Sequence, residues 1–172
     1  VAREGERDAS VARRHGEIKG TLARPGPAGP FVLTAKADRI DELVDGTLAV
    51  IDFKTGLLPQ RKEIEAGYAP QLPLEAAIAR LGGFADVPAA RVDALEFWRL
   101  RGNETGGERK CFEGIDAAAD TALARLDALI ALYDDPATPY PARPRPEFAP
   151  RHSDYEHLER LKEWSASGED DE

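Results

Sequence analysis

Cysteine is nearly absent from this sequence, since Cys111 is the only one among 172 residues. A single cysteine excludes a disulfide framework and is typical of a protein from a reducing compartment. No apolar stretch approaches the length of a membrane span, and the charged first residues lack the apolar segment of a secretory signal peptide. We therefore expect a cytoplasmic protein that does not enter a membrane.

Basic residues are fewer than acidic ones, with 23 Lys and Arg against 32 Asp and Glu, a formal net charge of −9 and an isoelectric point of about 4.9. This balance argues against a freestanding, nonspecific nucleic-acid binder, because contacts to phosphates need a cationic surface. Part of the negative charge lies in residues 168–172, which we expect to be a disordered acidic tail. The chain is long enough for one domain with a hydrophobic core.

Several common site motifs are also missing. The segment Lys54-Thr55-Gly56 is not preceded by the glycine pattern of a phosphate-binding loop, so ATP hydrolysis is not expected in these residues. The three histidines are not spaced as zinc ligands, and no serine lies in a nucleophile elbow.

Two strands and a tight turn stand out among the features that are present. Residues 31–40 are rich in apolar and β-branched side chains without internal Gly or Pro, and Asp45-Gly46 is a strong hairpin signal. Residues 47–54 form a second, nearly continuous apolar run, which is typical of a strand covered on both faces. We expect a hairpin whose second strand is buried.

Charged side chains lie at the ends of both strands. Asp52 and Lys54 share one face of the second strand, because side chains alternate with a period of two, and Phe53 points to the other face. Asp38 lies on the first strand, where a hairpin register can place it beside Asp52. An Asp-x-Lys triplet is common by chance, and a carboxylate at a strand end is usually solvated. Asp52, however, follows four apolar residues, a position at which a charged side chain is unfavourable unless a partner or a ligand compensates it.

Two carboxylates and a lysine at one strand end suit metal-assisted hydrolysis of a phosphodiester. Carboxylate oxygens hold a hard divalent cation, which polarises a phosphoryl oxygen and lowers the pKa of water. A neighbouring ammonium stabilises the developing negative charge. The backbone carbonyl of Phe53 is a candidate third oxygen ligand.

These residues resemble the motifs of the PD-(D/E)xK nuclease superfamily, in its RecB-like branch. Asp38 in Ala-Asp-Arg-Ile-Asp fits the family's first metal-binding aspartate, and Asp52 and Lys54 in Ile-Asp-Phe-Lys-Thr-Gly fit its Asp-x-Lys strand. Gln71 in Gln-Leu-Pro-Leu-Glu fits the glutamine of the following Gln-x-x-x-Tyr helix. The tyrosine of that motif is Glu75 here.

The resemblance implies an Mg²⁺-dependent deoxyribonuclease, in which Mn²⁺ can substitute. Asp38, Asp52 and the Phe53 carbonyl are then the expected metal ligands. Lys54 is expected to orient the attacking water or to stabilise the negative charge. Gln71 is expected to help place the scissile DNA strand.

A closer resemblance is to the C-terminal nuclease domain of the AddB family of α-proteobacteria, carried by residues 67–77 and 153–158. It implies a helicase–nuclease that resects double-strand breaks for recombinational repair, with DNA and an AddA-like subunit as partners.

The chain departs from the AddB family in two ways. With one cysteine it cannot form the Cys₄ iron–sulfur centre that many members have. It also lacks the upstream helix that carries the family's first acidic or histidine site residue. We therefore expect a C-terminal fragment of a longer protein. His15 and Glu17 are weak substitutes for the missing residue, and exposed strand positions are the simpler interpretation for both.

The remaining pattern predicts an α/β fold, with a mixed central sheet of four or five strands flanked by helices as in restriction endonucleases. Further strands are expected over residues 15–23, 92–101 and 108–112, and helices over 61–66, 70–81, 116–133 and 153–164. Residues 1–134 are expected to be the nuclease core, and residues 135–172 a Pro-rich arm, the final helix and the acidic tail.

Two other functions stay open at this point. The domain could be a non-catalytic module that docks the partner subunit or guides DNA, or a structure-specific nuclease similar to Cas4. The sequence does not fix the polarity of cleavage, the strand preference, hotspot recognition or the number of metal ions.

Overall fold

The computed structural model describes residue 5 and residues 9–101, 107–112 and 115–140. The strands in this part of the chain are β1 Val11–Arg24, β2 Phe31–Leu43, β3 Leu48–Lys54, β4 Val92–Arg99 and β5 Glu108–Phe112. The helices are α1 Arg61–Ala66, α2 Gln71–Arg80 and α3 Ile115–Tyr133. The chain divides after Pro136, and the fold described is that of the first unit. The predicted final helix, the acidic tail and most of the Pro-rich arm lie outside the described residues.

The strands form one mixed sheet in the order β1-β2-β3-β4-β5. β1, β2 and β3 pair antiparallel, β3 and β4 pair parallel, and β4 and β5 pair antiparallel. The parallel pair requires a crossover, which α1 and α2 provide between β3 and β4. This architecture confirms the predicted α/β class with a restriction-endonuclease-like sheet.

The predicted hairpin between β2 and β3 is present. Gly46 has φ 82°, a left-handed conformation that glycine adopts without strain, and Asp45 Oδ1 accepts a hydrogen bond of 2.9 Å from the Thr47 backbone N–H. The prediction that the second strand is covered on both faces is also confirmed, because Leu48–Ile51 are fully buried.

The core lies between the sheet and two helices that pack on each other. α2 is buried along almost its whole length, and α3 contributes a narrower apolar stripe. The buried core residues are Ala37, Ile40, Leu48, Val50, Leu72, Ala76, Ala77, Ile78, Ala79, Phe84, Val87, Val92, Leu95, Phe97, Ile115, Ala119 and Leu123. Among the described helices, none is long and apolar enough to cross a membrane.

A short capped helix, α1, precedes α2. Glu63 closes a capping box on the Gln60 backbone N–H at 2.6 Å, and α1 ends at Gly67 in the left-handed conformation with φ 84°. The chain then turns into α2 within a few residues. This arrangement brings the first residue of α2 back to the carboxyl end of β3.

The fold gives a sharp stability prediction at Gly20 on β1. A Cβ at this position would lie 2.5 to 2.9 Å from atoms of the Phe84 ring, which is too close for real side chains. Gly20→Ala should therefore lower the free energy of unfolding by about 1–3 kcal/mol, as overpacking does elsewhere. Urea denaturation measures this change.

Gly16→Ala on the same strand is the matched control. Its Cβ would meet only the Asp38 carbonyl oxygen, at 4.0 Å. The urea midpoint of this variant should stay near that of the wild type. Equal midpoints for the two variants would contradict the described packing of Phe84 on β1.

Candidate active site

The register of β2 and β3 brings two carboxylates to one place. The last ladder pair is Arg39 opposite Ile51, so the next pair in the same register is Asp38 opposite Asp52. Asp38 is half-buried, and its Oδ2 accepts a hydrogen bond of 2.8 Å from the Phe53 backbone N–H. This bond ties the end of β2 to the end of β3 where the regular ladder stops.

Asp52 is a buried carboxylate with only 2% exposure. Lys54 Nζ lies 3.0 Å from Oδ1, to which it donates a hydrogen bond, and 2.9 Å from Oδ2. Despite that distance, Oδ2 has no hydrogen-bond partner of suitable geometry in the described part of the chain. Burial raises the pKa of Asp52, and the charge of Asp38 raises it further, against the opposing effect of Lys54.

Gln71 at the start of α2 links the pair Asp52 and Lys54 to Glu75, so that four side chains are connected in a row. Lys54 Nζ donates to Gln71 Oε1 at 3.0 Å, and Gln71 Nε2 donates to Glu75 Oε1 at 3.2 Å. The two contacts fix which way the amide points, because its oxygen faces a cation and its nitrogen faces a carboxyl group. Three of the four predicted catalytic side chains, Asp52, Lys54 and Gln71, are thus in direct contact.

Glu75 is the member of this row that the sequence did not identify as a site residue. It is 3% exposed, and its Oε2 is buried and accepts no hydrogen bond from any residue that the structure describes. Burial, together with the charges of Asp52 and Asp38, raises the pKa of Glu75 to about 7. The available signal was its spacing four residues after Gln71, which places both on one face of α2.

The donor set at this strand end fits a hard divalent cation. Asp52 offers a buried oxygen that accepts no hydrogen bond from the described residues, although Lys54 Nζ lies 2.9 Å from it, and Asp38 adds a second negative charge beside it. The N–H of Phe53 faces Asp38, and its carbonyl lies on the same edge of the strand because a residue in a ladder presents both groups to one neighbour. Asp38, Asp52 and the Phe53 carbonyl as metal ligands remain a prediction.

A larger carboxylate cluster is not part of this site. In residues 9–101, 107–112 and 115–140, no three His, Cys, Asp or Glu side chains form a group that could hold a metal ion. Glu75 is close enough to the two aspartates for their charges to raise its pKa.

The two weak substitutes for the missing first site residue are each paired with a side chain outside the predicted site. His15 is buried, so its predicted exposure was wrong, and its Nε2 lies 2.6 Å from Glu42 Oε1. His15 can be buried on the edge strand β1 because Glu42 on β2 supplies a polar partner. Glu17 is exposed as predicted and accepts a hydrogen bond of 2.6 Å from Lys36.

The raised pKa of Glu75 gives a pH prediction. A carboxyl group with an ordinary value of 4.5 and a folded-state value of about 7 holds its proton more tightly in the folded protein. The free energy of unfolding should therefore fall as the pH rises from 4.5 to 7, by about 3 kcal/mol for this group.

Glu75→Gln keeps a carbonyl acceptor for Gln71 and removes the titration. Measured by urea denaturation with EDTA at several pH values, the variant should gain stability relative to the wild type between pH 5 and pH 8. Parallel pH profiles for the two proteins would contradict a buried, neutral Glu75.

Curated relatives match only part of this chain. An uncharacterized protein of Rickettsia bellii (strain RML369-C) is 34% identical over 79 residues, which are 46% of this chain and 10% of the relative. The uncharacterized protein RT0391 of Rickettsia typhi (strain ATCC VR-144 / Wilmington) is 41% identical over 69 residues, 40% of this chain and 8% of the relative. The matched segments thus span about a tenth of these relatives or less.

Two further comparisons cover more of the chain. The crystal structure of SSO0001 aligns with 72% of this chain and 56% of that one, at a TM-score of 0.42 and 12% sequence identity. Residues 2–162 match the PD-(D/E)XK nuclease superfamily. Since this match spans nearly the whole sequence, the chain belongs to the PD-(D/E)XK nuclease superfamily.

Proposed function

We propose that this chain is the metal-dependent DNA exonuclease domain of a helicase–nuclease that resects double-strand breaks for recombinational repair. The observation that carries the hydrolytic part is the meeting of Asp38, Asp52 and Lys54 at the end of a buried strand, with one oxygen of Asp52 left without a donor. Desolvation of a carboxylate is unfavourable, and Lys54 offsets part of that cost; a cation bound beside the two aspartates would offset more of it.

Asp38, Asp52 and the Phe53 carbonyl would hold the cation, with Mg²⁺ as the expected ion and Mn²⁺ as a substitute. When bound, a divalent cation supplies Lewis-acid polarisation of a phosphoryl oxygen and lowers the pKa of water. Burial, and to a lesser extent the charge of Asp38, raises the pKa of Asp52, and a nearby cation would favour its charged form.

Lys54 is placed to act on the reacting phosphate. An ammonium has three N–H donors, and two of them are directed to Asp52 Oδ1 and Gln71 Oε1. The third is left for the attacking water or for a phosphoryl oxygen, where it stabilises the negative charge that develops in the transition state. Gln71 holds the ammonium in place and is positioned to contact the scissile strand.

The reaction is hydrolysis of one phosphodiester bond. The oxygen of water bonds to phosphorus, and one P–O ester bond breaks. The proton from water passes to solvent, and the departing oxygen takes up a proton. One product end carries the phosphate and the other carries a hydroxyl group.

A partner subunit is part of this proposal. A chain with net charge −9 attracts DNA poorly by itself, so an AddA-like helicase subunit would supply the cationic channel that guides the strand. The resemblance of residues 67–77 and 153–158 to the AddB family supports this assignment. The small share of the Rickettsia relatives that is matched supports the occurrence of such domains in much longer chains.

Cleavage of end-labelled single-stranded and double-stranded DNA with Mg²⁺ or Mn²⁺ tests the function. Asp52→Asn should lower the rate at least about 100-fold, because it removes a charged oxygen ligand at the reacting centre. Asp86→Asn is the matched control, since Asp86 is exposed and has φ 59°, which asparagine also tolerates. This control should cut DNA at the wild-type rate.

Equal cleavage by the wild type and Asp52→Asn would contradict the proposed site. A wild-type chain that binds an AddA-like subunit but never cuts DNA, alone or in the complex, would favour the docking module instead. Cleavage limited to branched or flapped DNA would favour a Cas4-like enzyme.

A further inference from the structure

A second cation, Arg99, stands beside Lys54 on the neighbouring strand. β3 and β4 run parallel, and their register pairs Lys54 with Arg99 at the carboxyl ends of both strands. The pairing continues one step further, where the Leu100 backbone N–H donates to the Lys54 carbonyl at 2.8 Å. Paired residues on adjacent strands lie about 5 Å apart and project from the same face. Arg99 therefore projects from the face that carries Asp52 and Lys54.

Arg99 lacks the partners that the other cations near the site have. It is half-buried, and its Nε is a buried donor without a hydrogen-bond partner among the described residues. Within the part of the chain that the structure describes, no carboxylate forms an ion pair with its guanidinium. Lys110 shows the contrast, because its Nζ donates to the Pro59 carbonyl at 2.9 Å.

A buried donor without a partner is unfavourable in the free protein, and a ligand that brings an acceptor oxygen would satisfy it. The guanidinium group presents a planar fork of donors that matches two oxygens of a phosphate. A nucleic acid strand offers phosphates at regular spacing on either side of the scissile bond. Lys54 Nζ lies 6.0 Å from the centre of the Phe97 ring on β4. Lys54 and Arg99 would therefore contact the same short stretch of a bound strand.

We propose that Arg99 binds a backbone phosphate of the substrate strand next to the scissile phosphate. The inference rests on the proposed nuclease function and adds a substrate-binding residue to it. Arg99 contributes to the affinity for the strand, whereas Asp38, Asp52 and Lys54 act at the reacting phosphorus.

A structural role for Arg99 is the main rival. Glu108 on β5 is the cross-strand neighbour of Arg99, so the two side chains could form an ion pair in solution. In that case Glu108→Ala and Arg99→Met would have the same effect on DNA binding. Under the proposal, Glu108→Ala leaves affinity unchanged or raises it, because it removes a negative charge near the substrate.

The test is fluorescence anisotropy with labelled single-stranded DNA in Ca²⁺, which supports binding without fast cleavage, at several salt concentrations. Arg99→Met should weaken binding roughly tenfold and reduce the slope of log K against log salt by about 0.7, the value for one lost phosphate contact on a single strand. Arg99→Lys should recover part of the affinity, because it keeps the charge and loses the fork.

Arg91→Ala is the matched control, since Arg91 is an exposed arginine just before the opposite end of β4 and pairs with Asp93. It removes the same charge and should leave both affinity and salt slope close to wild type. The thermal unfolding temperature of Arg99→Met should equal or exceed that of the wild type, because the variant removes an unsatisfied buried donor.

The outcomes separate this inference from the function it rests on. If the wild type cuts DNA through Asp52 but Arg99→Met binds DNA with wild-type affinity and slope, the inference alone is wrong. If Arg99→Met and Glu108→Ala weaken binding and stability equally, Arg99 is structural. If the wild type neither binds nor cuts DNA, alone or with its partner subunit, the proposed function and the inference fail together.

Discussion

The structure depends on one electrostatic constraint, the burial of Asp52 at the end of an otherwise apolar strand. Four fully buried residues precede it, so this charge destabilises the fold unless positively charged partners lie beside it. Lys54 supplies one such partner from the same face of β3, and a cation bound beside Asp52 would supply another. The negative charge of Asp38 makes that second positive charge more favourable.

The neighbouring strands and α2 fix the positions of the side chains around Asp52. β2 fixes Asp38 through the Phe53 backbone, and α2 fixes Lys54 through Gln71. α2 is buried along nearly its whole length, so the glutamine at its start has a fixed position relative to the sheet. β4 runs parallel to β3 and places Arg99 beside Lys54, at the carboxyl ends of both strands.

Local pattern was enough to predict the hairpin and its charged ends. The period of two along residues 47–54 places Asp52 and Lys54 on one face, and the Asp45-Gly46 turn sets the register that puts Asp38 opposite Asp52. The helix that carries Gln71 was also predictable, because its apolar pattern and the flanking Pro and Gly residues mark its ends to within one residue.

The misses share a physical cause, which is that they depend on packing between distant elements. The burial of Glu75 requires that α2 lie flat on the sheet, and the position of Arg99 requires the parallel register of β3 and β4. Neither is visible in a local pattern. The exposure of His15 was predicted wrongly because its partner Glu42 is 27 positions away in the sequence. The local sequence pattern predicts on which face of a strand or helix a side chain lies, but not which other element packs on that face.

The most direct measurement is calorimetric titration of the 172-residue chain with Mn²⁺, compared with Asp38→Asn. The central claim is that Asp38 and Asp52 together form a cation site, which requires both carboxylates. We expect the wild type to show a saturable site that the variant loses or binds at least about tenfold more weakly, with weak binding to other acidic residues unchanged. Equal affinity in the two proteins would contradict the claim, because a site that does not need Asp38 is not the one formed at the ends of β2 and β3.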